Sequence, residues 1–88
     1  MPERAVEVVN EAGIHARPAA EIVKVAAKFT SEILIVRDDL EVNARSIMGV
    51  MMLAAECGAT VILKAEGADA DAAIDAIADL ISGRFGEA

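Results

Sequence analysis

Apolar and polar positions follow two different periods along the 88 residues. In ERAVEVVN (3–10), Val6 and Val8 fall on one side of an extended chain and Glu7 on the other, the period of a half-buried strand. Residues 16–29 change to the helical period. Ala19, Ile22, Val23, Ala26 and Phe29 make an apolar stripe, and Arg17, Glu21, Lys24 and Lys28 make the opposite polar row. EILIVR (32–37) is a β-branched run that reads as a well-buried strand, and Asp38-Asp39 turns it into LEVN (40–43), which predicts a hairpin. SIMGVMMLAAECG (46–58) reads as a short helix capped by Ser46 and stopped by Gly58. ATVILKAE (59–66) is a fourth strand. DADAAIDAIADLISGRF (69–85) closes the chain as a helix with Ile74, Ile77, Ala78, Ile81 and Phe85 on one face, Asp69 at its N-cap and Asp71 in its first turn. The order β-α-β-β-α-β-α predicts an α+β fold with one small sheet and the helices packed on one face. A ferredoxin-like arrangement shares most of this order, so the strand pairing stays open at this level.

Composition narrows the class. Hydrophobic residues make up 56%, with Phe29 and Phe85 the only aromatics, which is enough apolar material for one core and not for two, so residues 1–88 are expected to be a single domain. The apolar runs fall short of a membrane span, and Glu3 and Glu7 argue against a secretion signal. The single cysteine, Cys57, offers no internal disulfide and suits a reducing cytoplasm; with one histidine it is too little for a zinc cluster. The net charge of −7 argues against nucleic acid as a ligand. That charge is uneven. Residues 65–88 hold Glu66, Asp69, Asp71, Asp75, Asp79 and Glu87 against Arg84 alone, whereas residues 13–29 hold Arg17, Lys24 and Lys28 against Glu21. The locally basic segment fits an anionic ligand or acidic partner, or more plainly a charge-balanced solvated helix face.

That segment carries the only histidine. With Ala16 opening the helix, His15 stands at the N-cap, beside first-turn amides that have no intrahelical partner. Those amides and the helix dipole favour an anion. Pro18 fits the first turn because its missing N–H removes no bond there. Arg17 adds a charge that can reach a phosphate, and Gly13 frees the preceding loop to adopt unusual φ. Positive surroundings should keep the ring neutral near pH 7, and a neutral imidazole beside an anion site is a nucleophile for a phosphoryl group, whose transfer needs mainly positioning and charge stabilisation. The plainer alternative is a histidine that merely ends a loop. A serine-histidine-aspartate triad would draw on Ser31, Ser46 or Ser82, none of which lies in a nucleophile-elbow sequence.

GIHARPA (13–19) together with SIMGVM (46–51) resembles the histidine-containing phosphocarrier (HPr) family of the bacterial phosphoenolpyruvate-dependent sugar phosphotransferase system. Length, element order and motif spacing match across essentially the whole chain, and the two motifs in register are specific. The resemblance implies an open-faced β-sandwich, a four-stranded antiparallel sheet with three helices on one face. It implies that His15 accepts a phosphoryl group on Nδ1 from phosphorylated enzyme I, charged by phosphoenolpyruvate, and passes it to sugar-specific enzyme IIA domains. Arg17 would attend the phosphate, with backbone amides near Ala16 and Arg17 as further donors. It implies a monomeric cytoplasmic carrier with no cofactor, metal or membrane insertion, rather than an enzyme. Ala12 departs from the small polar residue of many members and is expected to make the phosphohistidine more labile.

Ser46 has a structural use as a helix cap. The resemblance adds phosphorylation there by a serine kinase, reversed by a phosphorylase, and a regulatory alternative in which the modified protein binds a transcription regulator. A nitrogen-linked carrier is a further alternative. The helix after Ser46 is apolar nearly all round, so one side is expected to be buried and the other to bind partners, for which methionine is suited. Ile47 and Met51 share a face with Met48 close by, and Val50, Leu53 and Ala54 lie toward the other. The resemblance places partner docking on this helix and on Ala20 and Lys24 of the first. Cys57 is expected to be a small buried hydrophobe before Gly58.

Overall fold

The structure is a computed structural model describing residues 2–87. It contains β1 (Glu3–Glu7), α1 (Ala16–Ala26), β2 (Glu32–Arg37), β3 (Leu40–Asn43), α2 (Ile47–Met52), β4 (Thr60–Glu66), α3 (Ala70–Ser82) and a closing 3-10 turn (Arg84–Gly86). The strands pair in the order β1-β4-β2-β3, each neighbour antiparallel, which settles the pairing left open by the sequence. Ile35 stands between Val42 and Leu63 in register, and Val6 faces Val61. These side chains and Ile33 and Ala65 are buried under the helices, against Ile22 of α1, Val50 of α2 and Ile74, Ile77 and Ile81 of α3. The fold is an open-faced sandwich of one sheet and three helices.

Alternation explains why only one face is covered. In β4, Val61, Leu63 and Ala65 point into the core while Ile62 and Lys64 are half-buried on the other face. β2 follows the same rule, so its continuous apolar run is half-buried at Leu34 and Val36 rather than buried throughout. The edges carry charge, which discourages pairing with another chain. On edge strand β1, Arg4 reaches across to Asp75 of α3 at 2.5 Å.

Three helices end earlier than the sequence pattern indicates, each for a visible reason. α3, expected to run to Phe85, closes at Ser82, where Gly83 takes the C-cap and Arg84 and Phe85 turn to left-handed φ of 59° and 54°. α1 is expected to run to Phe29 but closes at Ala26. Lys28 and Phe29 bond three residues back, to Val25 and Ala26, tightening the last turn, and the Arg45 guanidinium donates to the Phe29 carbonyl. α2 is expected to reach Gly58 but stops at Met52. Ala54 then takes a left-handed φ of 49°, and Arg37 donates to the Leu53 and Ala54 carbonyls at 3.2 and 2.7 Å while also pairing with Glu56. Arg37 thus supplies from β2 the C-terminal capping that Gly58 was expected to give. Residues 53–59 become a loop, which is why Ala54 and Cys57, both expected to face inward, are exposed.

Asp69 holds the N-cap position of α3, yet its side chain makes no cap bond. It accepts from the Thr30 and Ser31 amides at 2.9 Å each and from the Ser31 hydroxyl, tying the α1–β2 loop to the start of α3. Those hydrogen bonds, the Ser31 hydroxyl's first, hold the Asp69 carboxyl at about 2. Gly67 makes the close approach possible, since a Cβ there, at φ 143°, would stand 2.5 Å from Ser31 Oγ.

Candidate functional site

His15 sits at the N-cap of α1 in an extended conformation, φ −113° and ψ −163°, with its side chain free of its own helix. Its carbonyl accepts from the Ala19 amide at 2.9 Å and so closes the first turn. Pro18 has no N–H to place, and the amides of Ala16 and Arg17 have no acceptor among the described residues. Two backbone donors therefore stand unpaired beside the imidazole at the positive end of the helix.

The loop before His15 is pinned from below. Asn10, fully buried, donates from Nδ2 to the Gly13 carbonyl at 2.8 Å, and Gly13 N–H returns a bond to the Asn10 carbonyl at 3.1 Å. Ile14 donates to Ala55 O at 2.8 Å. Gly13 has a φ of 69° and passes so close to the 53–58 loop that a Cβ would meet Ala55 O at 2.6 Å. Glycine is required there on both counts.

The chain's last described residue completes the site. Glu87 Oε2 accepts from Arg17 Nη2 at 2.6 Å and Nε at 3.2 Å, and its Oε1 accepts from Asn10 Nδ2 at 2.8 Å and lies 3.1 Å from His15 Nε2. Arg17 Nη2 also donates to the Phe85 carbonyl at 3.0 Å. The Arg17 bonds, followed by those of Asn10 and His15, hold the Glu87 carboxyl at about 2. His15 and Arg17 keep side-chain exposures of 44% and 50%, so the ring and the guanidinium are reachable from outside.

Most residues singled out from the sequence come together. His15, Ala16 and Arg17 form one constellation, and the expectation of purely positive surroundings for the ring is corrected by the Glu87 carboxylate. In the sequence Glu87 is only one of the acids near the C-terminus. No local signal marks a residue that reaches its partners 70 and 72 positions away. Ala12 is exposed in the same loop. Ser46 caps α2 as expected, its Oγ accepting from the Gly49 amide at 3.0 Å. Val50 on α2 and Leu53 just after it are buried and Ile47, Met48 and Met51 are exposed, as the periodicity indicates; Met52, 64% exposed, joins the open face. α1 and α2 pack side by side, with Ala20 half-buried and Lys24 exposed. Among the described residues no three histidine, cysteine, aspartate or glutamate side chains converge as a metal site requires.

A half-exposed imidazole, two open amides and a tethered arginine stand together on an open surface. The family model described as "PTS HPr component phosphorylation site" matches residues 2–83. The phosphocarrier protein HPr of Treponema pallidum is 52% identical over 87 residues, covering 99% of each chain. A phosphocarrier protein NPr from Shewanella violacea is 42% identical over 98% of this chain and 94% of its own, and an HPr-like protein Crh from Halalkalibacterium halodurans is 49% identical over 88% and 92%. The crystal structure of HPr-C-His from Thermoanaerobacter tengcongensis superposes with a TM-score of 0.95 at 49% identity, covering 100% of this chain and 99% of that one. The chain belongs to the HPr family of phosphocarrier proteins of the phosphotransferase system, a family of carriers rather than catalysts.

Proposed function

We propose that His15 is the phosphoryl acceptor, taking the group on Nδ1 from phosphorylated enzyme I and giving it to enzyme IIA domains. One observation carries this reading. The imidazole stands at a helix N-terminus where the Ala16 and Arg17 amides are unpaired and Arg17 reaches the same space, while Nδ1 has no partner among the described residues. In the forward step the Nδ1 lone pair attacks phosphorus, the donor's bond to phosphorus breaks, and that electron pair leaves with the donor. The unpaired amides and Arg17 stabilise charge on the transferring oxygens. The return step onto an enzyme IIA domain is the same displacement with this chain as donor.

Docking of both partners is assigned to the open face of α2, where Ile47, Met48 and Met51 are exposed, together with Ala20 and Lys24 on α1. A flexible methionine surface suits recognition of unrelated partners in turn. Ser46, exposed at the entrance to this helix, is the proposed serine-kinase site, and the likeness to Crh, described as the Bacillus subtilis catabolite repression HPr, favours a regulatory use beside transfer. A phosphate there meets a helix N-terminus and changes charge on the docking face. The carrier is proposed to act as a cytoplasmic monomer; among the described residues no helix is long and apolar enough to cross a membrane. A tengcongensis HPr dimer and dimeric Bacillus subtilis Crh make sedimentation the check on that state.

The test is intact mass after incubation with phosphoenolpyruvate, magnesium and a bacterial enzyme I, on wild type and His15→Ala. One acid-labile, base-stable phosphate on wild type and none on the variant is the expected result. No phosphate on wild type, or one retained by the variant, overturns the assignment. A donor from the nitrogen-linked branch outpacing the sugar-linked one would move the chain to that pathway.

A further inference from the structure

The Glu87 carboxylate receives more donors than any other acceptor at the site: Asn10 Nδ2, the His15 ring nitrogen, and Nη2 and Nε of Arg17. It is delivered by an unusual piece of backbone. Arg84, Phe85 and Gly86 are consecutively left-handed, with φ of 59°, 54° and 74°, and the first two are not glycine. Such residues persist only where the surroundings hold them. Here Phe85 is buried in the core and Arg84 Nε donates to the Val9 carbonyl at 3.3 Å, so the turn is held at both ends. Strain kept in place next to a reactive side chain points to use.

The chemistry of the contact defines that use. An ionised carboxylate can only accept hydrogen bonds. At 3.1 Å from His15 Nε2 it requires a proton on that nitrogen, and in the neutral ring this leaves the lone pair on Nδ1. We propose that Glu87 is a positioning residue that fixes the Nε2–H tautomer and the ring orientation of His15, so that Nδ1 is the nitrogen presented to the phosphoryl donor. The inference rests on the proposed transfer through His15. Glu87 touches neither donor nor phosphorus in this scheme. It acts through the imidazole, as a buried aspartate does on a triad histidine, and through Arg17, which it holds beside the ring. The Asn10 bond locks the carboxylate in turn; Asn10 Nδ2 faces two acceptors, Gly13 O and Glu87 Oε1, which fixes which end of the amide points to the site.

The experiment pairs a spectroscopic readout with kinetics on the full-length chain. Long-range nitrogen-proton correlation spectra of histidine-labelled wild type, Glu87→Ala, Glu87→Gln and Glu87→Asp report which ring nitrogen carries the proton above the ring's titration. Wild type is expected to show Nε2–H alone, and the alanine and glutamine variants a mixture. The rate of phosphorylation by a limiting amount of phosphorylated enzyme I is expected to fall about tenfold in those two variants, the scale of one charge-assisted bond at a half-open site. Aspartate, which keeps the charge one methylene short, is expected to lie between them and wild type. Thermal unfolding of each variant identifies loss of structure. A wild-type tautomer in Glu87→Ala, or a wild-type rate, overturns the proposal, as does a slow variant whose only change is a lower melting temperature. Absence of phosphorylation on wild type itself would instead overturn the His15 assignment, and the tautomer spectra would still decide the role of Glu87.

Discussion

Replacing Gly13 by alanine tests whether the histidine loop is braced by the 53–58 segment, and the structure supplies both the magnitude and a control. An alanine at φ 69° carries the left-handed penalty of a residue with a Cβ, about 1–2 kcal/mol. The new Cβ also stands 2.6 Å from Ala55 O and 2.9 Å from Glu56 Cα, both backbone atoms, so no side chain can swing aside. The same Ala55 carbonyl accepts the Ile14 amide at 2.8 Å. Relieving the clash means parting the two segments and giving up that bond, a further cost of about 1–3 kcal/mol. The sum is about 2–5 kcal/mol, a large share of the stability of a domain this size.

Gly58→Ala is the control. Its φ is 93°, but a Cβ there meets nothing within 4 Å, so it carries the backbone penalty alone, about 1–2 kcal/mol. Urea unfolding followed by circular dichroism should place Gly13→Ala well below Gly58→Ala in midpoint, and thermal melts should show Gly13→Ala lower than wild type by at least about 10 °C. Equal destabilisation of the two variants would refute the brace. So would a Gly13→Ala protein within about 0.5 kcal/mol of wild type, the range of an unremarkable surface change.

Ser46→Ala removes the acceptor for the Gly49 amide and should cost about 1 kcal/mol in chemical denaturation; an unchanged midpoint would count against the cap. Asp69 and Glu87 both titrate at about 2 in the folded chain, below the ordinary carboxyl range, so the unfolded chain binds their protons first. Their stabilisation is complete above about pH 5 and is lost as pH falls from about 4 toward 2, and Asp69→Asn should flatten that acid limb in urea midpoints taken across the range. Met48→Ala, at a side chain 72% exposed, should leave stability within about 0.5 kcal/mol while slowing phosphoryl transfer. Val50→Ala, at a fully buried position of the same helix, should do the reverse, costing about 2 kcal/mol; urea melts and transfer rates on the pair separate packing from docking. Cys57 should react with a thiol reagent in the folded protein at the rate of the unfolded chain, and protection would contradict its exposure.

The elements that sequence pattern located best are those whose signals are local. The inward residues of β4 and α3 alternate or recur at the expected period, and Ser46 precedes its helix as a cap should. The errors at α2, at Asp69 and at the site share one cause, a partner distant in sequence. α2 ends at Met52 where Arg37 of β2 takes the Leu53 and Ala54 carbonyls just beyond it, and no residue near Ala54 signals a stop. Asp69 looks like a helix cap, and local pattern cannot show that the Thr30 and Ser31 amides take its carboxylate instead. The same holds for the site. His15, Ala16 and Arg17 are adjacent in the chain and were legible as a group, whereas Glu87 enters only through the left-handed turn that Phe85 anchors.

That division also bears on how the site works. An enzyme acting on a small molecule encloses it and expels water, because low dielectric strengthens every charge interaction inside. A group handed between two proteins imposes the opposite requirement, since each partner must bring its own reacting atom to the same nitrogen. The residues that hold His15 in place are accordingly buried, Asn10, Ile14 and Pro18 among them, while the ring and Arg17 stay about half exposed. On the proposed transfer through His15, water is excluded by the partner, and the proposed docking surface is the helix packed beside α1, where Met48 and Met52 are 72% and 64% exposed. Complete desolvation would arise only in the docked complex, so the positioning built into the free chain has to come from bonds that survive in water, and a charge-assisted contact at the imidazole is of that kind.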